Sequence, residues 1–385
     1  MGGDSQHQIR GYEDIRKEIE LRGTFGVDCI PRKGMWRDAV ERLHPKRLKL
    51  RVSEIHKETD SVATLRLVAD DRPLPPFQAG QHITVLVEID GVRTGRPYSI
   101  SSSPCQTAYY DITVKRAPHG FVSSYLLDRV RVGDVLVSTG PAGHFHYNPL
   151  FHGKNLVFMA GGGGITPFMS MIREVTDRGL DRTISLLYGC RTPQEAIFHE
   201  ELTARARRHA NFTYTPVISE PAAGCTEQTG FLDADLVKKL GISIDTAMFY
   251  LCGPGEMYGR CVPDLHKLGV PGRRIRQEVY GPGPGICDDP AWPADVAPDD
   301  VFSIRIAGGR TIAAPVSESL LVAMERAGMT VEHSCRSGRC SLCRVKVISG
   351  KVFQASGSLV RKSDRAHGYV HACSAYPLSD LEILL

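Results

Sequence analysis

The sequence lacks an excess of charge of either sign. Its 385 residues include 47 lysines and arginines and 43 aspartates and glutamates, which gives a formal net charge of +4. Nucleic-acid binding usually leaves a strongly basic composition, so this balance argues against a nucleic-acid partner. Hydrophobic residues make up 42% and charged residues 23%, values that exclude disordered, collagen-like and coiled-coil chains. A chain of this length is expected to form two or three globular domains.

Long apolar segments are missing as well. The longest run without charge or histidine, residues 155–172, contains four consecutive glycines and Pro167, so we expect no membrane span. Residues 1–10 are polar and lack the apolar centre of a secretory signal. No internal repeat is evident. These absences lead us to expect a cytoplasmic protein.

Cysteines are unevenly distributed. There are 11 of them, an odd number, and four lie within the last 51 residues while the others are scattered singly. A secreted disulfide scaffold would be smaller and more evenly paired. The distribution therefore indicates a metal or cluster site near the end of the chain.

Hydrophobic periodicity predicts two large domains of different type. Short alternating strands separated by glycine and proline occupy residues 47–149, with one helix near 121–128, which predicts a small antiparallel β-barrel. In residues 150–283 buried-type strands alternate with helices, including one over 193–208. That alternation is typical of an α/β domain with a parallel sheet.

Three further segments complete the predicted domain organisation. Residues 1–46 form a polar extension with a weak helical pattern and no assignable chemistry. Residues 284–300 belong to a stretch rich in proline and aspartate and without basic residues, which is typical of a linker. Residues 301–385 read as strand, hairpin, helix, cysteine loop and further strands, so we expect a third domain there.

The cysteine quartet is the most specific motif. Cys335, Cys340 and Cys343 are spaced C-x4-C-x2-C, and Cys373 follows after 29 residues, which is the plant-type [2Fe–2S] spacing. Gly338 allows the backbone amides of the loop to turn toward the cluster. A four-cysteine zinc site and a redox dithiol of Cys340 and Cys343 remain as alternatives, although structural zinc sites usually come as two close pairs.

A candidate flavin motif lies on a predicted barrel strand. In Arg96-Pro97-Tyr98-Ser99, arginine can pair with a phosphate, tyrosine can stack on a planar ring, and serine can bond a ring nitrogen. Taken alone, the motif could be an ordinary exposed strand. The segment 120–123 then precedes a helix, whose N-terminal amides can bind a pyrophosphate.

Two candidate nucleotide motifs follow strands of the α/β domain. Residues 161–164 are four glycines that let the backbone approach a phosphate, and Thr166 begins the next helix. Cys252-Gly253-Pro254 follows a later strand, and ligands of open α/β sheets bind beyond such strand ends. The glycines do not have the standard G-x-G-x-x-G spacing, so a plain turn remains an alternative.

Taken in order, these motifs resemble the ferredoxin–NAD(P)⁺ reductase-like flavoproteins that carry a C-terminal plant-type ferredoxin domain. Reductases of the hybrid-cluster protein and of bacterial oxygenases and hydroxylases have this arrangement, and the resemblance covers residues 48–385. It implies a multidomain fold with an antiparallel β-barrel flavin domain, an α/β parallel-sheet nucleotide domain and an α+β ubiquitin-like (β-grasp) ferredoxin domain.

The resemblance also implies roles for individual residues. Ser99, Cys252 and Glu278 would take part in catalysis, and the four cysteines would ligate the cluster. Glu278 and Tyr280 match the closing E-x-F element of the family, with tyrosine in place of phenylalanine. The residues expected to hold the flavin or the nucleotide are Arg96, Pro97, Tyr98, Ser99, Lys115, Gly120, Val122, Ser123, Gly162, Gly163, Thr166, Arg191, Cys252, Gly253, Pro254 and Tyr280.

The choice of cofactors follows from two short segments. The helix start after Gly120 favours a pyrophosphate and therefore FAD, with FMN as the alternative. Glu220 would repel the 2′-phosphate of NADPH and suits the ribose diol of NADH. Arg191 could still reach a phosphate, so NADPH remains the alternative.

The function implied by the resemblance is NADH-dependent electron transfer. Hydride would pass to the flavin, and single electrons would pass through the [2Fe–2S] cluster to an external metalloprotein such as an oxygenase, hydroxylase or hybrid-cluster protein. Residues 301–385 contain 11 basic and 6 acidic residues, so we expect an acidic docking face on the acceptor, opposite Arg336, Arg339 and Arg344. The alternatives are a self-contained flavin oxidoreductase acting on small molecules and a zinc-stabilised interaction protein.

Overall fold

The computed structural model describes residues 12–25, 40–43, 45–281 and 285–385. The chain divides into two compact units, residues 1–45 and 46–385. In the first unit a helix spans Tyr12–Phe25, and its apolar side chains Ile15, Ile19 and Leu21 are exposed. The weak apolar stripe of this helix therefore contributes little buried area.

The predicted antiparallel barrel is confirmed in the first part of the second unit. Its six strands lie in the order β4-β3-β6-β1-β2-β5, and a bridge between Ile100 and Ile112 joins the two ends of the sheet. Alternation along β1 buries Leu48, Leu50 and Val52 inside the barrel. The elements are β1 Leu48–Thr59, β2 Val62–Val68, β3 His82–Ile89, β4 Val92–Ser99, β5 Tyr110–Lys115, the helix Phe121–Asp128 and β6 Val135–Ser138.

A six-stranded parallel sheet follows, in the order β10-β9-β8-β7-β11-β12. The chain order reverses at β7, which pairs with β8 on one side and β11 on the other. Such a reversal opens a crevice beyond the carboxyl ends of the strands. The strands are β7 Asn155–Gly161, β8 Thr183–Cys190, β9 Phe212–Ile218, β10 Gln228–Thr229, β11 Met248–Cys252 and β12 Ile275–Glu278.

The helices of this domain differ from the prediction in one place. The expected helix over 193–208 is broken, because Phe198 adopts a left-handed conformation (φ 61°) and the helix begins only at His199. The preceding residues Pro193–Glu195 form a single 3₁₀ turn. The helices are Ile165–Asp177, His199–Arg208, Ala234–Lys239 and Gly255–Lys267.

The last domain has the predicted β-grasp architecture. Its main sheet has the order β14-β13-β19-β15-β17, with β13 and β19 parallel, and a small sheet pairs β16 with β18. Ser319 caps the helix Leu320–Arg326, whose apolar side chains are buried in the core of this domain. The elements are β13 Val301–Ile306, β14 Thr311–Pro315, the helix Leu320–Arg326, β15 Arg344–Ser349, β16 Val352–Gln354, the helix Lys362–Ala366, β17 Tyr369–His371, β18 Ala375–Pro377 and β19 Leu381–Leu384.

The described part of the predicted linker, residues 285–300, is packed on this last domain. The Trp292 ring lies edge-on to Phe353, with 5.1 Å between the centroids, and Ser356 Oγ donates to Asp289 at 3.3 Å. None of the helices in the described ranges combines the length and apolar character that crossing a bilayer requires.

Candidate functional site

The cysteine loop places four thiols together at the edge of the β-grasp domain. Cys335, Cys343 and Cys373 are buried, and Cys340 is exposed. Backbone N–H groups of the loop point at the sulfurs: that of Gly338 lies 3.2 Å from Cys373 Sγ, and that of Cys340 lies 3.4 Å from Cys335 Sγ. Gly338 has a φ of +72°, and a side chain there would collide with the Ser374 hydroxyl. The loop is thus shaped to donate hydrogen bonds to negatively charged sulfur.

The thiols are arranged as neighbours in a row. Cys340 lies beside Cys335, Cys335 beside Cys373, and Cys373 beside Cys343. Hydrogen bonds from Cys340, from Cys373 and from the Ser337 amide lower the pKa of the Cys335 thiol, which favours the thiolate that binds metal. A two-iron cluster needs two thiolates for each iron, and the four neighbouring thiols supply that number. The donor set therefore fits a [2Fe–2S] cluster.

A cavity of about 870 Å³ opens in the crevice beside β7. Its floor is formed by the backbones at the ends of β7 and β11, which approach each other closely. A side chain at Gly164 would lie 2.0 Å from the Cys252 carbonyl oxygen, and one at Gly161 would lie 2.7 Å from Pro254. Only glycine at these two positions lets the two backbones come so close together. The space of the cavity beyond them is left free for a nucleotide.

Most of the predicted nucleotide-binding residues line this cavity. Lys115 reaches it from the barrel and lies against Gly162 and Gly163, while Thr166 Oγ1 donates to the Gly163 carbonyl at 3.1 Å. The structure brings together the following predicted residues around the cavity: Lys115, Gly162, Gly163, Thr166, Arg191, Cys252, Gly253, Pro254, Glu278 and Tyr280.

The candidate flavin motif occupies the end of β4. The half-buried Arg96 donates to Thr94 Oγ1 at 2.6 Å and to the Gly95 carbonyl at 2.8 Å. Both of these acceptors are neutral, so the charge of the guanidinium is available to an anion. Burial and the nearby Arg336 lower the pKa of Arg96 to about 10, which leaves it charged at neutral pH. Pro97 and Tyr98 are half-buried beside it.

The second flavin segment begins the helix Phe121–Asp128. Gly120 precedes the helix, and a side chain there would lie 2.2 Å from Ser123 Oγ. Ser123 Oγ accepts a hydrogen bond from the Ala117 N–H at 3.1 Å, and Val122 is buried in the barrel core. These three residues therefore hold in place the start of the helix, where the first N–H groups have no partner within the helix.

The three predicted catalytic residues meet where the domains join. Ser99 Oγ and Tyr280 Oη share a hydrogen bond of 3.0 Å, and Tyr280 bonds Glu278 as well. Burial raises the pKa of Glu278 to about 7 and raises that of the adjacent Cys252 thiol far above its usual range. The Cys252 thiol is thus neutral near pH 7, whereas Glu278 is divided between its protonated and ionised forms there.

Sequence analysis missed a set of residues that joins the barrel to the cysteine loop. His82 Nε2 and Ser334 Oγ share a hydrogen bond of 2.9 Å, next to Cys335, and the His82 ring lies edge-on to Tyr280. Burial lowers the pKa of His82 to about 4, so its contact of 4.0 Å with Glu278 is not an ion pair at neutral pH. No local pattern marks this contact, because the partners are 252 residues apart in the sequence.

One predicted role for an arginine needs correction. Arg336 is buried and paired with Glu325 at 2.7 Å, so it cannot face a docking partner. Arg191 lines the cavity and is ion-paired with Glu195 at 2.5 Å, near Glu220, so its contact with the nucleotide stays a prediction.

Comparisons with known proteins agree with this geometry. Three family models match the chain: "Oxidoreductase FAD-binding domain" over residues 49–147, "Oxidoreductase NAD-binding domain" over 158–262, and "2Fe-2S iron-sulfur cluster binding domain" over 304–378. The chain is also 30% identical over 336 residues to the NADH oxidoreductase HCR of Escherichia coli K12, covering 86% of this chain and 96% of that protein. The chain belongs to the family of NADH-dependent flavin reductases that carry a [2Fe–2S] domain.

Other members of the family show the same arrangement. A glycine betaine monooxygenase reductase subunit of Pseudomonas aeruginosa is 29% identical over 345 residues, covering 87% of this chain and 94% of that protein. The solved structure of phthalate dioxygenase reductase, described as modular for electron transfer from pyridine nucleotides to [2Fe–2S], superposes with a TM-score of 0.67. It is 25% identical and covers 88% of this chain and 97% of that one.

Family membership confirms the predicted activity. The chain is an NADH-dependent oxidoreductase that passes electrons through a flavin and a [2Fe–2S] cluster to an acceptor protein. The alternative of a zinc-stabilised interaction protein is thereby set aside.

Proposed function

We propose that the chain is the reductase component of an oxygenase system, with a terminal oxygenase as its acceptor. When bound, the flavin and the cluster supply hydride acceptance and one-electron relay, respectively. The observation that carries the proposal is the position of the cysteine loop. Ser334, which precedes Cys335, is bonded to His82 of the barrel, on the strand paired with the Arg96–Ser99 segment. Several relatives are named as reductases of oxygenases.

The residues around Ser99 are suited to prepare the hydride step. Ser99 Oγ, bonded to Tyr280 Oη, is placed to orient a flavin ring, and the buried Tyr280 excludes water from the same space. Cys252 and Glu278 border the cavity from the nucleotide side. We assign them to positioning the nicotinamide, because the Cys252 thiol is buried and neutral near pH 7 and the half-buried Glu278 is partly protonated there.

The cavity favours NADH over NADPH. Glu220 and Glu195 both line it, and Arg191, which lies near both, is ion-paired with Glu195. An additional phosphate beside Glu220 would be repelled by its carboxylate. A ribose diol can instead donate hydrogen bonds to that carboxylate.

For the flavin we assign FAD. Arg96 supplies an unpaired cation for one phosphate, and the Gly120–Ser123 segment presents the amides of a helix start for a second. Lys115, at the edge of the barrel, adds a positive charge between the flavin side and the nucleotide cavity.

The acceptor is expected to dock where the cluster reaches the surface. Cys340 is exposed there, and the neighbouring Leu342 is 53% exposed. Because Arg336 is buried, the basic residues left to contact an acidic acceptor face are Arg339 and Arg344. Arg344 is ion-paired with Asp364 at 3.1 Å. We therefore propose a mixed contact, apolar at Leu342 and basic at its edge. A cytoplasmic location would supply the NADH and keep the thiols reduced.

Reconstitution with purified acceptors tests this proposal. The NADH-reduced chain is mixed with a panel of terminal oxygenase components and a hybrid-cluster protein, and the rate of acceptor reduction is measured at two ionic strengths. A saturable rate with an oxygenase, slowed by salt and lost in Cys373→Ser, supports the proposal. The proposal is contradicted if the chain reduces only small molecules and no oxygenase is reduced faster with the chain than in buffer alone.

A further inference from the structure

A buried ion pair lies between the cysteine loop and the barrel. Glu325, on the helix Leu320–Arg326, is 4% exposed and Arg336 is 5% exposed. Their contact is bidentate, with Arg336 Nη1 and Nη2 at 2.7 and 2.9 Å from the two carboxylate oxygens. Arg336 directly follows the cluster ligand Cys335, so the pair fixes the position of the loop relative to the helix.

The same pair is bonded to the barrel. Thr94 Oγ1, on β4, donates to Glu325 Oε1 at 3.1 Å, and Arg336 Nη1 donates to the Gly95 carbonyl at 3.4 Å. The helix itself packs against β4. We call this set of three residues the latch, because it connects the two domains through one buried carboxylate. Its members are Thr94, Glu325 and Arg336.

Charge in this region does not balance. Arg96 donates to the same Thr94 hydroxyl and Gly95 carbonyl that the latch uses, so two guanidinium groups share the neighbourhood of one carboxylate. Buried charges are stable when they are paired. One more anion beside Arg96 would therefore balance the two guanidinium groups.

We propose that the latch holds the ferredoxin domain on the barrel and that the flavin phosphate at Arg96 completes its charge balance. Bound flavin therefore keeps the cluster loop docked, and loss of flavin loosens it. The inference rests on the proposed role of Arg96 as the flavin-phosphate ligand. It makes Glu325 and Arg336 positioning residues for electron transfer between the two cofactors, without a part in hydride transfer.

Hydrogen exchange in the intact chain tests the proposal. The readout is exchange of the backbone amides of the helix Leu320–Arg326, which packs on β4. We compare the flavin-loaded chain with the flavin-depleted chain, keeping the cluster in both. In the wild type, flavin removal is expected to speed exchange about tenfold, since docking protects the helix. Equal exchange with and without flavin would overturn the proposal.

Variants separate the latch from general stability. Glu325→Gln leaves two cations for the flavin phosphate, so flavin is retained, but the helix is expected to exchange as fast as in the flavin-depleted wild type. Glu382→Gln removes a carboxylate from the exposed pair with Arg305 in the same domain and should keep wild-type protection. Wild-type protection in Glu325→Gln would overturn the proposal. If that variant does not fold, Thr94→Val removes the barrel hydroxyl alone and carries the same expectation.

A kinetic readout and a binding readout complete the test. In Glu325→Gln, cluster reduction after mixing with NADH should slow about tenfold, while flavin reduction stays within about twofold. Equal slowing of both steps would contradict a positioning role. Flavin affinity of Arg96→Gln tests the proposed phosphate contact separately. Unchanged affinity refutes that contact, whereas lost affinity together with flavin-independent exchange in the wild type refutes only the latch.

Discussion

The nucleotide cavity and the cysteine loop both depend on glycine, but they use it in opposite ways. At Gly161 and Gly164 the missing side chains let two strand ends come together and leave an open cavity of about 870 Å³ above them. At Gly338 the missing side chain lets the loop close over the sulfurs, with three of the four cysteines buried. A ligand that comes and goes needs the first arrangement, and a permanent cofactor needs the second.

Electrostatics separate the two regions further. The cavity is bordered by ionised groups that are paired and partly exposed, such as Arg191 with Glu195. The loop is surrounded by fixed amides and by the buried Glu325–Arg336 pair. Changes at the loop should therefore affect electron transfer as a whole, whereas changes at the cavity should alter affinity, stability or nucleotide choice.

The largest effect is expected from loss of a cluster ligand. Cys373→Ser should remove the cluster absorbance and lower cytochrome c reduction about a hundredfold, the upper range for damage to a metal site. Ferricyanide reduction, which can draw electrons from the flavin directly, should stay within about twofold. Cys105→Ser, at an exposed cysteine, is the control and should leave both rates unchanged. Cluster-dependent reduction that survives in Cys373→Ser would show that this cysteine is not a ligand.

The second-largest effect is expected from adding a side chain at the floor of the cavity. In Gly164→Ala the new Cβ would lie 2.0 Å from the Cys252 carbonyl oxygen, so the free energy of unfolding should fall by about 1–3 kcal/mol. The KM for NADH should rise as well. Gly259→Ala, on the helix Gly255–Lys267 and with nothing within 4 Å of the added carbon, should instead stabilise by up to about 1 kcal/mol. Equal destabilisation by the two changes would mean that the close approach is unimportant.

Replacing Glu278 should change the free energy of unfolding by an amount that depends on pH. Its pKa is raised from 4.5 to about 7 in the folded chain, so the native state binds a proton that the unfolded state releases. Stability from this group is present below pH 4.5 and is lost as pH rises to about 7. At about 1.4 kcal/mol per pKa unit, Glu278→Gln should therefore be more stable than wild type by about 3 kcal/mol at pH 8 and nearly equal to it near pH 4.5. Denaturant unfolding at both pH values checks this, and a constant difference would contradict it.

The smallest effect is expected for nucleotide choice. Glu220→Ala removes the carboxylate proposed to repel the 2′-phosphate, so kcat/KM for NADPH should rise about tenfold. The value for NADH serves as the internal control and should fall, because a hydrogen-bond acceptor for the ribose is lost. A constant ratio of the two nucleotides would place specificity elsewhere in the cavity.

Local spacing made much of this molecule predictable. The plant-type cysteine spacing and the glycines after β7 act over a few residues, so their chemistry can be read from the sequence. The strands and the helix Phe121–Asp128 follow from periodicity for the same reason. The family models then confirm the domain types.

Contacts between distant segments could not be predicted. Arg336 was expected at the surface, but Glu325 and the barrel strand β4 bury it. The bond between His82 and Ser334 joins two domains that share no sequence pattern. Phe198 breaks a helix that its neighbours favour, because its buried ring holds the backbone in a left-handed conformation. Such features depend on how the domains pack, and packing is not visible in local composition.

The most direct test of the account is the reaction order of cluster reduction. If the loop is docked as proposed, electrons pass from flavin to cluster within one chain. After anaerobic mixing with excess NADH, flavin absorbance should bleach first, and cluster absorbance should follow with a rate constant independent of protein concentration. A rate that rises in proportion to protein concentration, or pure material without iron, would contradict the account.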